Sequence, residues 1–261
     1  MAGGSILNAI PGYSDALKNA AKPLGETYMQ HNAVNLEPLV MFVIALAVLF
    51  ALVFAARGKL VKTQEAVIPD EKFTVRTFFE LFLDTVMALM TEIMGAQHAK
   101  RVLPLLGTLG VVIFFSNFLG LMPGMLPPTD TINVNASMAI VVFVVTHIAG
   151  IQTNGIGHIT HMANPVGTWW GWFLAPIMFP IEVIGHIVRP VSLTLRLMGN
   201  MIGDHAVLAI FLGLIPLLVP VPFLILGSIV CTVQTLVFCL LSMVYIGLAL
   251  EEQHHDEEGH H

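Results

Sequence analysis

Arg189-Pro190-Val191-Ser192-Leu193-Thr194-Leu195-Arg196-Leu197-Met198-Gly199-Asn200 stands between two strongly apolar runs, 170–188 and 201–218. A guanidinium does not shed its proton in a protein, and holding one at mid-membrane costs about 2.5–3.5 kcal/mol on insertion scales. An arginine near a helix end can reach the interface along its stem, but Arg196 is followed by several turns of apolar residues. Two readings stay open at this point. One is a structural ion pair or interfacial anchor; the other is a fixed positive charge that a second charged group must meet.

Composition agrees with a membrane. The chain has 261 residues, of which 56% are hydrophobic and 11% charged, and its mean hydropathy is +0.82. Soluble domains carry about 25% charged residues, so a soluble fold would lack polar surface. The apolar segments are long and show little alternation, which favours helices over a barrel. The net charge of −6 says little about partners, because much of it lies in 251–261; no nucleic-acid partner is expected. Cys231 and Cys239 lie eight residues apart in one apolar run, about 12 Å along a helix, too far to bridge.

In chain order, 1–36 is expected to be an exposed arm with a helical turn or two, 37–252 a helical membrane domain, and 253–261 a solvated tail rich in His and acids. The arm lacks the pattern of a cleavable signal peptide, so the apolar run 39–56 is read as a retained span. In 73–101, Thr77, Glu80, Asp84, Ala88, Thr91, Gly95 and His98 form a small or polar stripe among phenylalanines and aliphatics. That pattern predicts an amphipathic helix at the interface or against the bundle. The second span is expected over 103–121 and the third over 134–151. Asn117 in the second is read as a packing hydrogen bond. Residues 169–215 form either two spans or one long helix kinked at Pro176, Pro180 and Pro190; hydropathy leaves both open. Pro216, Pro220 and Pro222 mark a turn before a final long helix over 223–250.

Seven of the eleven Lys and Arg (Arg57, Lys59, Lys62, Lys72, Arg76, Lys100, Arg101) lie between the first two spans. The positive-inside tendency makes that loop cytoplasmic and the amino terminus external. Five crossings then put the carboxyl terminus in the cytoplasm; six would put it outside.

The polar residues of the spans form lines. Glu182, His186, Arg189, Arg196, Asn200 and Gly203 recur mostly at steps of three or four, and Ser192, Arg196, Gly199 and Gly203 make an adjoining line of small residues. Such a line admits close helix approach, either as a static seam or as a surface past which a charged partner slides. Asp204 and His205 follow; they either line a water-filled path or face water at a helix end. On the last helix Gln234, Phe238, Ser242 and Tyr245 share a face. Gln234 is a packing bond or a group that holds Arg196 without neutralising it.

The stretch 189–201, with Ser116-Asn117-Phe118-Leu119-Gly120-Leu121-Met122-Pro123-Gly124 and with Gln234 eleven residues before Tyr245, resembles subunit a of the F-type ATP synthases from the first span to the carboxyl end. The resemblance implies an all-α membrane protein with five crossings plus the amphipathic helix, the last two helices long and tilted. It implies a proton-translocating, non-catalytic stator with no cofactor and no metal. Its partners would be the c-subunit ring, the b-subunit peripheral stalk, the rest of the complex and the lipid bilayer. Arg196 would face the ring, Gln234 would neighbour it, and Asn200 would lie on a proton path. Glu182 and Ser192 would belong to the cytoplasmic half-channel, and Asp204, His205 and Tyr245 complete the expected proton-path residues. A bacterial inner membrane is the expected location. Many bacterial members carry a glutamate at the His205 position and a histidine at the Gly227 position; here the acid is Asp204.

Two rivals are weaker. A secondary transporter of an anionic substrate predicts inverted repeats, and none is evident. An intramembrane metalloenzyme predicts a ligand motif, and His158-Ile159-Thr160-His161 is only an isolated pair.

Overall fold

The structure, a computed structural model, describes residues 7, 10–21, 36–60, 75–122, 125–155, 171–214 and 220–251. Among them are six α-helices: α1 (Tyr13–Ala21), α2 (Glu37–Leu60), α3 (Val75–Gly120), α4 (Ile132–Asn154), α5 (Gly171–Leu214) and α6 (Pro220–Glu251). Helices α2 to α6 each contain a stretch long and apolar enough to cross a bilayer. Lipid cannot satisfy backbone polar groups, so continuous helix is the form such runs take. Along α2, Leu39, Val43, Phe50 and Phe54 are exposed; with lipid as the solvent that exposure carries no penalty. The expected turn at 216, the loop containing His158 and His161, and the tail lie outside the described residues.

One boundary differs from the sequence reading, and one choice that it left open is decided. The amphipathic segment and the second span are joined in α3, and the break falls at Gly95 (φ 76°, ψ 158°) instead of near 101–103. Glycine adopts that positive φ without steric cost, whereas Lys100 and Arg101 only change the polarity of a helix that continues through them. The run after 169 is a single helix, α5, with Pro176, Pro180 and Pro190 inside it. Prolines are tolerated in such helices because neighbouring groups re-satisfy the carbonyls they free, which for Pro190 is that of His186; the Thr194 hydroxyl donates to the Pro190 carbonyl itself at 2.8 Å.

The chain divides into two compact units, each taking segments of α3, α5 and α6. The first comprises Met1–Phe78, Val111–Val134 and Leu197–Thr235. In it, Phe78 and Phe114 pack at 5.3 Å and Phe114 stacks on Phe118 at 5.9 Å. The short 3-10 turn Pro128–Asp130 packs on α2, and the Thr129 hydroxyl donates to Asn117 Oδ1 at 2.6 Å. Burial, and then the Glu37 carboxylate, push the Tyr13 phenol of α1 above its ordinary range.

The second unit comprises Phe79–Gly110, Asn135–Arg196 and Leu236–His261. Its core is Val86, Met90, Met94, Ala99, Val102 and Leu106 of α3 against Cys239, Met243 and Ile246 of α6. Both sets recur at about one helical turn, so each helix offers one apolar stripe. Small residues bring the backbones close: a Cβ added at Gly110 would lie 2.8 Å from Cys239 Sγ. Both cysteines are free and buried.

Candidate functional site

Three arrangements of polar side chains lie in the spans. In the second unit, α5 carries Glu182 and His186 one turn apart, with Glu182 Oε1 3.5 Å from His186 Nε2. The next turn presents Arg189, whose guanidinium sits 5.2 Å over the Tyr245 ring of α6. An aromatic face stabilises a cation without neutralising it, so the Tyr245 ring offsets part of the cost of taking Arg189 out of water. From α4, His147 meets His186 with ring centroids 5.1 Å apart.

In the first unit, Asn200 Nδ2 donates to Gln234 Oε1 at 2.6 Å. Gln234 is nearly fully buried, and a side-chain carbonyl left unpaired at such a site costs about 1–3 kcal/mol. The bond therefore ties α5 to α6 as well as satisfying Gln234. The sequence reading left Gln234 as a packing bond or a neighbour of Arg196; its hydrogen-bond partner here is Asn200.

The same unit holds a cavity of about 230 Å³ lined by Asn117, Gly120, Leu121, Asp204, His205 and Gly227 among others. Asn117 is 1% exposed, and its Nδ2, like Asp204 Oδ2, is buried with no protein partner among the described residues. A cavity of this size has room for several waters, and buried polar groups without protein partners are the ones that waters satisfy. His205 Nε2 lies beside Gly120, within electrostatic reach of Asp130 and Asp204. Gly227 is closely packed: a Cβ there would fall 2.6 Å from Leu121 Cδ2. Any side chain at that position would have to displace Leu121, so the acid and imidazole of this chamber come from α5.

Arg196 is different in kind. It is exposed, and among the described residues no carboxylate pairs with it. Ser192, one turn before, is half-buried. A Cβ built at Gly185, Gly199 or Gly203 of α5 meets nothing within 4 Å. Among the described residues nothing fills the space beside these glycines, which lie along the helix that carries the arginine.

Of the residues singled out from sequence, Asp204 and His205 share the cavity and Asn200 bonds Gln234, while Glu182 and Tyr245 lie in the second unit with different partners. Asn117 was read as a packing residue. Its Oδ1 is that, but the residue also lines the cavity, and no spacing in the chain connects 117 with 204. His147 and Arg189 also went unassigned; an ionisable side chain within an apolar run was the available signal for both.

Helical spans, ionisable groups held within them and a chamber with room for several waters beside two of those groups define a multi-pass membrane protein built to handle charge. Residues 39–247 match the family ATP synthase A chain. ATP synthase subunit a of Sorangium cellulosum is 44% identical over 253 residues, covering 96% of each chain. ATP synthase subunit a 3 of Pelobacter propionicus is 49% identical over 180 residues, 69% of this chain and 76% of that one. Subunit a of Bdellovibrio bacteriovorus is 42% identical over 201 residues, 77% of this chain and 85% of that one. The chain belongs to the ATP synthase subunit a family, a bacterial multi-pass membrane component of that complex and not itself its catalytic part.

Proposed function

We propose that this chain is the fixed, proton-conducting element against which a ring of c subunits turns. The observation that carries the reading is an arginine in an apolar span, exposed and without an ion-pair partner among the described residues, on a helix whose glycines border open space. A charge so placed is costly in lipid and becomes favourable when a carboxylate on another subunit passes it. That carboxylate is protonated where it faces lipid. Near Arg196 the opposite charge favours its ionised form and releases the proton. The arginine neither accepts nor passes a proton, so it blocks direct leakage between two aqueous half-channels.

The chamber of Asn117, Asp204 and His205 is assigned to the half-channel open to the outside. Glu182 and Ser192 are assigned to the cytoplasmic one, with Asn200, Gln234 and Tyr245 completing the path. The amino terminus lies outside and the carboxyl terminus in the cytoplasm, with 1–36 an exposed arm and 253–261 a solvated tail. The membrane potential supplies about 2.3 kcal/mol per charge per 100 mV; ring rotation carries that energy to the catalytic head, and the b subunits hold this chain still. A photo-activatable side chain at position 203 in the assembled complex tests the docking face. Covalent capture of the ring subunit is expected; adducts with lipid alone would contradict the assignment.

A further inference from the structure

Two buried or half-buried histidines of the second unit have no part in the mechanism above. His186 is 7% exposed, with Glu182 Oε1 3.5 Å from its Nε2; the Glu182 side chain is itself 41% exposed. His147 of α4 stands edge-on to it at 5.1 Å between ring centroids. His147 Nδ1 lies 2.9 Å from the Phe143 carbonyl. A carbonyl only accepts, so Nδ1 must carry the hydrogen, and His147 takes up and releases protons at Nε2 alone. A cavity of about 10 Å³ lies among Thr146, His147, His186, Arg189 and Tyr245, at the lower limit for one water. Among the described residues no group of three or more His, Cys, Asp and Glu is arranged to hold a metal ion. Carboxylate and imidazole side chains are groups that exchange protons.

We infer that His186 is a proton-transfer residue linking Glu182 to the arginine-bearing stretch of α5, with His147 as its proton store. The inference rests on the proton-translocating reading above. A proton taken from water protonates Glu182. The carboxyl O–H breaks as the His186 Nε2–H forms, leaving a carboxylate beside an imidazolium. The ring then turns about Cβ–Cγ and its Nε2–H breaks as a water in the small cavity takes that proton, while Nδ1 keeps its hydrogen throughout, so the first tautomer is in place when the ring turns back; the opposite flow reverses each step. His147 exchanges at one nitrogen, so it holds a proton and returns it by the same atom. The charges facing His186 set the balance. The Glu182 carboxylate favours the imidazolium, Arg189 and a protonated His147 oppose it, and the Tyr245 ring lies under Arg189.

The test uses the whole complex in inverted membrane vesicles, with ATP-driven acidification as the readout and assembly checked by native gel. Glutamine reproduces the hydrogen-bonding position of Nε2 but does not relay protons. His186→Gln is expected to slow pumping about tenfold or more, at the low end of proton-transfer contributions or below it. Millimolar imidazole is expected to restore part of the rate, which a purely structural loss would not allow. His147→Gln is expected to give a smaller fall. Unchanged pumping in His186→Gln, or slow pumping that imidazole does not relieve, overturns the inference. If the glutamine variant does not assemble, His186→Asn, which mimics Nδ1, is read by the same criteria. Arg196→Ala in parallel separates the two claims: lost pumping there with normal His186→Gln sinks only the relay, whereas retained pumping in Arg196→Ala sinks the reading beneath it.

Discussion

Gly120→Ala puts the packing of the chamber to a quantitative test. Gly120 ends α3, and a Cβ there would sit 2.5 Å from Pro127 Cβ, 2.9 Å from Pro127 Cγ and 3.1 Å from His205 Nε2. Carbon atoms rest about 3.5–4.0 Å apart, so the overlap is about 1 Å. Pro127 cannot swing aside: its ring fixes φ, here −67°, and its carbonyl accepts from the Asp130 amide at 3.1 Å. Relief requires moving the turn that Thr129 anchors to Asn117. Overpacking of this kind costs about 1–3 kcal/mol. The better helix propensity of alanine, up to about 1 kcal/mol in a helix interior, returns little at a helix end. A net loss of about 1–2 kcal/mol is expected. The measure is the unfolding midpoint of the detergent-solubilised chain. Gly203→Ala is the control, since nothing lies within 4 Å of its added Cβ. Replacing Pro127 by Gly in the Gly120→Ala background removes both clashing carbons and should return part of the loss. A Gly120→Ala chain as stable as the Gly203→Ala chain would refute the close approach.

Three further outcomes follow from the same contacts. Asn200→Ala should cost about 1–3 kcal/mol in unfolding, because Gln234 loses its donor while buried, and Gln234→Leu added to it should cost less than the sum of the single changes; strict additivity would contradict the bond. Gly203→Leu should leave the isolated chain within about 0.5 kcal/mol of wild type yet prevent productive contact with the ring, so that pumping falls while this chain stays folded. Pumping at the normal rate would contradict an occupied glycine face. Cys231 and Cys239 are both buried, so maleimide should label neither thiol in the folded chain and both after denaturation; rapid labelling of either in the folded chain would contradict its burial.

What could be read from the chain and what could not divide along physical lines. Spans follow from the length of apolar runs, a local property, so the five crossing helices were legible. Polarity misplaced the break in α3, because Lys100 and Arg101 resemble a loop in composition while Gly95 interrupts the helix through its backbone. The lines along α5 followed from periodicity, and the structure adds that their glycines border open space. Cross-helix partners were the part hidden from sequence. Nothing in the spacing joins Asn117 to Asp204 or His147 to His186, and the Asn200–Gln234 bond depends on which faces of α5 and α6 meet.

The proposed coupling of ring movement to proton flow by Arg196 is tested by ATP-driven acidification of inverted vesicles carrying Arg196→Ala in a fully assembled complex. Acidification is expected to be lost while this chain and the ring remain in the complex, and Arg196→Lys, whose ammonium can give up a proton where a guanidinium cannot, is expected to pump poorly. Acidification at the wild-type rate with alanine at position 196 would contradict the coupling and return the arginine to a structural role.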